Sequence, residues 1–108
     1  MEETTILCGA NADAEKYYFN PRYANLPEAV QEELRSLTVL FAEEVGCTLL
    51  VSFGEDGDPV LHVIRDDNDF LFDEIEAELQ VRRLQREHEE LFTSLGEYYR
   101  AFFGQEET

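Results

Sequence analysis

The chain has 108 residues, and 25 acidic against 8 basic side chains give it a formal charge of −17 at neutral pH. Charge of that sign excludes recognition of nucleic acid through its phosphates, which takes clustered lysine and arginine, and it disfavours anionic membrane surfaces. A hydrophobic share of 44% with 12% aromatics excludes a disordered acidic tail, so one folded domain spanning 1–108 is expected.

No stretch approaches the roughly 20 apolar residues of a membrane span. Ile6-Leu7-Cys8 is too short for a signal-peptide core, so a cytoplasmic location is expected. Cys8 and Cys47 form no CxxC pair, and in a reducing compartment they read as small buried hydrophobes.

In chain order, Thr4 to Cys8 is a short β-prone run closed by Gly9 and Asn11, and it reads as an edge strand. Lys16 to Tyr23 is dense in aromatics and interrupted by Pro21, which pushes Asn20 out of helical geometry. This segment reads as a turn or extended wrap. Tyr17, Tyr18, Phe19 and Tyr23 need burial: they either cover the core or line a groove for a small molecule.

A helix follows, with Pro27 suited to its first turn. Val30, Leu34, Leu37, Phe41 and Val45 mark its buried stripe, and Gly46 supplies a left-handed stop. Cys47 to Phe53 then alternates as a strand, and Val60 to Arg65 returns as its partner. With Asp56-Gly57 as a two-residue reversal, Phe53 faces Val60, Val51 faces His62 and Leu49 faces Ile64. That register puts His62 on the apolar face.

From Phe70 or Asp73 to about Phe103 the sequence predicts one long helix stopped by Gly104, with Asp73, Glu74 and Glu76 favourably placed near its start. Ala77, Val81, Leu84, His88, Leu91, Leu95, Tyr98 and Phe102 step alternately by four and three, the spacing of a helix-pairing seam. Such a helix would run about 45 Å at 1.5 Å per residue, more than a hairpin and one shorter helix can cover. Part of the seam is therefore expected to meet a second copy or another protein, with packing across its own sheet as the alternative. His88 on the seam is either a pH-sensitive contact or a hydrogen-bonded polar residue. The fold class expected is α+β: helix, antiparallel β-hairpin and long C-terminal helix, with an N-terminal third strand left open.

Chemical motifs are absent. An EF-hand loop starting at Asp67 fails at Leu71 and Phe72, which stand at its fifth and sixth positions. Asp66, Asp67, Asp69 and Asp73 leave a looser divalent site open, with solvated turn carboxylates as the plainer account. Cys8, Cys47, His62 and His88 lack zinc-ligand spacing. There is no P-loop, dinucleotide fingerprint or GxSxG. No nucleophile or general base can be named, so no catalytic residue, metal or cofactor is expected.

The expected function is that of a non-catalytic interaction domain that self-associates or binds a protein partner. Its surface would be Val81, Leu84, His88, Leu91, Leu95, Tyr98 and Phe102. An acidic mimic of nucleic acid that occupies a basic protein, and a small-molecule domain using Tyr17 to Tyr23, are the alternatives.

Ile6-Leu7-Cys8-Gly9-Ala10-Asn11-Ala12, Lys16-Tyr17-Tyr18-Phe19-Asn20-Pro21, Leu26-Pro27, Glu43-Glu44-Val45-Gly46 and Phe72-Asp73-Glu74-Ile75 occur together. In these the chain resembles a family of short acidic cytosolic proteins of unknown function from anaerobic Gram-positive bacteria. The resemblance implies a free-standing bacterial domain and carries no activity, ligand or catalytic residue.

Overall fold

The computed structural model describes residues 5–65 and 73–104. In chain order the elements are β1 (Ile6–Asn11), β2 (Lys16–Phe19), a 3-10 turn at Pro21–Tyr23, α1 (Glu28–Val45), β3 (Thr48–Phe53), β4 (Pro59–Ile64), α2 (Glu74–Glu87) and α3 (Glu89–Phe103). The strands form one antiparallel sheet in the order β2-β1-β3-β4. The fold is α+β, but with two strands ahead of α1 and two helices after β4.

Strand alternation divides the sheet into two unlike faces. Tyr17, Phe19, Cys8, Ala10, Leu49, Val51, Phe53, Leu61 and Val63 share one face, and all three helices pack there. Leu34, Leu37 and Phe41 of α1, Leu84 of α2, and Leu91, Leu95 and Tyr99 of α3 close the core against it. Leu7 joins them through an irregularity in the β1–β3 register. On the other face Tyr18, Gly9, Leu50 and His62 form one cross-strand row. Among the described residues no helix covers that row.

Helix α1 has the boundaries its sequence predicts. Pro27 stands at its N-cap, and Gly46 ends it at φ 75° with its N–H on the Ala42 carbonyl. Asp73 caps α2 by accepting from the Glu76 N–H at 3.0 Å.

Four sequence expectations are corrected. First, β1 is a central strand, not an edge. Gly9 lies inside it because a Cβ there would meet Leu50 Cδ2 at 2.4 Å, so the residue gives room for a side chain on the next strand. Second, the aromatic segment contains a strand. Its Lys16–Phe19 run pairs with β1, and Asn20 ends it, extended at φ −71°, ψ 120°. The Asn20 side chain donates to the Ile6 carbonyl and accepts from the Arg22 N–H, so it ties strand end to turn.

Third, the β3–β4 register is one residue away from the expected one. Phe53 faces Pro59, Val51 faces Leu61, Leu50 faces His62 and Leu49 faces Val63. The reversal is a wider loop, Gly54 to Asp58, closed by the Gly54 N–H on the Asp58 carbonyl. Gly57 takes a positive φ of 91°, and Arg100 of α3 reaches the Asp56 carbonyl and the Asp58 carboxylate from outside the hairpin. His62 consequently lies on the helix-free face, where it bonds Ser52 Oγ at 2.9 Å.

Fourth, the C-terminal helix is two helices. At His88 the backbone leaves helical geometry, at φ −121° and ψ 29°. His88 N–H still bonds the Leu84 carbonyl and Phe92 N–H the His88 carbonyl, but the ladder between them, from the N–H groups of Glu89, Glu90 and Leu91, is interrupted, which separates the two helices. The His88 ring faces Glu33 of α1 at 3.4 Å.

Candidate functional site

The seam along α2 and α3 is largely covered by the chain itself. Leu84, Leu91 and Leu95 are buried, and Val81, His88 and Tyr98 are half-buried. Phe102 is 63% exposed. Tyr98 donates from its hydroxyl to Asn25 Oδ1. The last turns of α3 enter an aromatic cluster around the fully buried Tyr23, with Phe103 at 5.1 Å, Phe53 at 5.3 Å, and Tyr99 stacked on Phe53 at 4.3 Å between centroids. Arg22 lies over the Phe103 ring at 4.7 Å.

The aromatics of the Lys16–Tyr23 segment do not meet in one groove. Tyr23 is core, and Phe19 is half-buried on the core face. Tyr18 points to the helix-free face and is 52% exposed. Tyr17 alone lines a cleft, of about 520 Å³, between the β1–β2 hairpin and α1, where Arg35 sits 5.8 Å from its ring. Its hydroxyl is buried beside the Cys8 thiol, with no oxygen or nitrogen partner among the described residues.

Neither cysteine is poised to react. Burial pushes the Cys8 thiol up to about 12, against a smaller opposing effect of the Tyr17 hydroxyl, and burial alone pushes Cys47 up to about 11. Both remain protonated thiols near neutrality, without the thiolate that nucleophilic or metal chemistry uses. Among the described residues no group of three or more His, Cys, Asp or Glu side chains converges on a metal position. Asp73 is engaged as a helix cap, and Asp66, Asp67 and Asp69 lie outside the described residues.

The arrangement with most scope for recognition runs along β4. Strand β4 is an edge of the sheet. Between it and the C-terminal helices lie two adjoining hollows that share Leu61. One, of about 360 Å³, is lined by Leu61, Val63, Arg65, Glu74, Ala77, Glu78 and Val81. The other, of about 240 Å³, is lined by Asp58, Pro59, Leu61, Gln85, Glu89, Phe92 and Thr93. Together they make a groove the length of the strand, with an apolar floor and an acidic rim. Sequence reasoning placed Ala77 and Val81 of this groove on its seam, and only Val81 in the expected interface. Read at helical spacing, Glu74, Ala77, Val81, Gln85 and Phe92 share a stripe, but their mixed polarity concealed it.

The hydrogen-bond parity of β4 follows from its neighbours. Ala12 N–H donates to the Cys47 carbonyl, in register with the Ala10–Leu49 and Cys8–Val51 pairs, so Leu49 and Val51 bond towards β1. Antiparallel strands alternate, so Thr48, Leu50 and Ser52 bond towards β4, to Ile64, His62 and Val60. The Gly54–Asp58 bond is in the same phase. Pro59, Leu61 and Val63 therefore turn their peptide groups to the open edge, while their side chains face the groove. Pro59, which has no N–H, stands where that donor would point outwards.

These features define a class: a small α+β domain with one helix-covered sheet face, one bare face and a grooved edge strand. The chain belongs to the family of unknown function DUF6145, whose model matches residues 4–107. No curated protein and no solved structure matches it significantly. No helix among the described residues is long and apolar enough to cross a membrane.

Proposed function

We propose that the chain is a non-catalytic interaction domain that binds a protein partner in the groove between β4 and the α2–α3 helices. The observation that carries this reading is the groove itself. An apolar floor of Leu61, Val63, Ala77, Val81 and Phe92 lies open beside an edge strand with two outward donors. Exposed edges of this kind are normally blunted by charge or covered. Strand β4 reads Pro-Val-Leu-His-Val-Ile, with no lysine, arginine or carboxylate. The buried, protonated thiols favour binding over thiol chemistry. The C-terminal helix still belongs to the recognition surface, but as the wall of a groove, since its seam is spent on the core.

A photoreactive side chain at Val81 tests this reading in the native cells. A discrete adduct from Val81 that is absent from an equivalent label at Glu32, on exposed α1, is the expected result. An adduct of twice the chain mass would mean that the partner is a second copy. Equal labelling from both positions would sink the proposal.

A further inference from the structure

We infer that the outer face of α2 is a self-recognition surface, on which a second copy of the chain packs its own α2 antiparallel. The inference goes beyond the groove reading and concerns the opposite side of the helix.

Helix α2 turns Ala77, Val81 and Leu84 inwards. At helical spacing the opposite side carries Ile75, Leu79, Arg82 and Arg86. Ile75 is 75% exposed and Leu79 54%. Glu76, Gln80 and Arg83 form the flank towards α1, where Gln80 and Arg83 line a hollow with Leu37, Leu40 and Phe41.

Charge along the helix is segregated. Asp73, Glu74, Glu76 and Glu78 stand at its start, and Arg82, Arg83 and Arg86, three of the chain's eight cations, stand together further on, with Glu87 after them. The macrodipole accounts for charge in the end turns only, and Arg82 and Arg83 lie short of the last turn. A two-fold axis beside Leu79 and Arg82 makes this face complementary to itself. Ile75 then meets the stem of Arg86 of the second copy, Leu79 meets that of Arg82, and Glu76 lies beside Arg83. Parallel pairing would set acid on acid and base on base, so the sense is fixed.

The charges are available for this contact. Glu76 and Arg86 have no ion pair among the described residues, and Glu90, four positions beyond Arg86, lies past the break at His88. Arg82 and Arg83 hold only exposed partners one turn away on their own helix, Glu78 at 2.9 Å and Glu87 at 3.4 Å. Pairs of that kind contribute little. Glu74 stays with Arg65 and is not needed. The contact is short, about 21 Å for the 14 residues of α2, and it works against the repulsion of two acidic chains, so the dimer is weak.

Sedimentation equilibrium of the full chain from about 10 µM to about 1 mM tests the inference. Reversible dimerisation is expected, with a dissociation constant on the order of 100 µM. Glu76→Arg and Arg83→Glu should each weaken it about tenfold or more. An equimolar mixture of the two variants should restore it, because each supplies the charge the other reverses, and so should the double variant. Glu76→Arg also reduces the net charge, so bulk repulsion alone predicts stronger association for it, the opposite sign. Leu79→Lys, which sets a cation against Arg82, is a second break should either reversal fail to fold. A monomer throughout would overturn the inference. So would a dimer indifferent to these substitutions, or weakening without rescue in variants that keep their helical circular dichroism.

Discussion

Gly9 and Gly57 are small for different reasons, and each makes a quantitative prediction. At Gly9 an added Cβ meets Leu50 Cδ2 at 2.4 Å and the Leu49 carbonyl at 3.1 Å. Leu50 can rotate away, but the backbone oxygen cannot. Gly9→Ala should cost about 1–3 kcal/mol, the usual range for overpacking, measured by urea denaturation. At Gly57 the φ of 91° is itself costly for an L residue, and the Arg100 side chain lies 2.8 Å from the would-be Cβ. Gly57→Ala should lower stability by about 1–3 kcal/mol and loosen the hold of Arg100 on the loop. Deleting that contact alone with Arg100→Ala should cost less, because the Arg100–Asp58 pair is exposed.

The buried thiols set a pH dependence whose sign is fixed. Folding raises Cys8 from 9.0 to about 12 and Cys47 to about 11, while burial raises Tyr23 from 10.0 to about 12, helped by neighbouring Tyr99. The unfolded chain therefore releases these protons first. Their contribution is complete below pH 9 and is lost as pH climbs towards 12. Denaturation at pH 8, 9.5 and 10.5 should give falling stability, and the native thiols should resist alkylation at pH 8 until denaturant is added. Rapid alkylation of the folded chain would mean that the sulfurs are reachable.

Among the elements, α2 and the β2 strand end depend on single capping side chains. Asp73→Ala removes the acceptor for the Glu76 N–H and should cost about 1 kcal/mol, seen as lost helical circular dichroism and a lower Tm. Asn20→Ala should cost more, about 1–3 kcal/mol. It strips the Ile6 carbonyl and the Arg22 N–H of their partner at a site only 8% exposed.

The elements also show what the sequence could express. α1 was legible to its ends because proline, periodic apolar residues and glycine all signal the same helix. β2 was not, since Lys-Tyr-Tyr-Phe has aromatics on both faces and no alternation to read. The hairpin register was misread because the loop closes through its own bonds as a five-residue reversal, where Asp56-Gly57 reads as a two-residue turn. The Gly57 N–H bonds the Gly54 carbonyl, the Asp58 N–H Asp56 Oδ1 and the Gly54 N–H the Asp58 carbonyl. The break at His88 was hidden because the heptad spacing continues through it unchanged. The groove was least legible of all, because its floor combines two residues of a strand with a stripe of a helix whose crossing no periodicity describes.

At the scale of the molecule, the helix-free sheet face needs no partner to exist, since antiparallel sheets commonly leave one face to water. Its composition is nevertheless uneven. The strand residues on it include Tyr18, Leu50, Val60, His62, Ile64 and Lys16, with no aspartate or glutamate, in a chain with 25 of them. The acids are gathered on the helices, loops and groove rim.

The open edge of β4 casts the chain's excess of acid in another light. A six-residue, uncharged strand with exposed Val60 and Ile64 is the sort of template on which identical chains stack. Mutual repulsion among molecules carrying −17 each opposes such stacking. On the proposed reading, the charge would insulate an edge that recognition keeps bare. Acidification towards the pI of about 4.2 should strip that insulation and let the strand recruit its own kind, visible as rising light scattering and thioflavin fluorescence. A lysine placed at Val60 should suppress both.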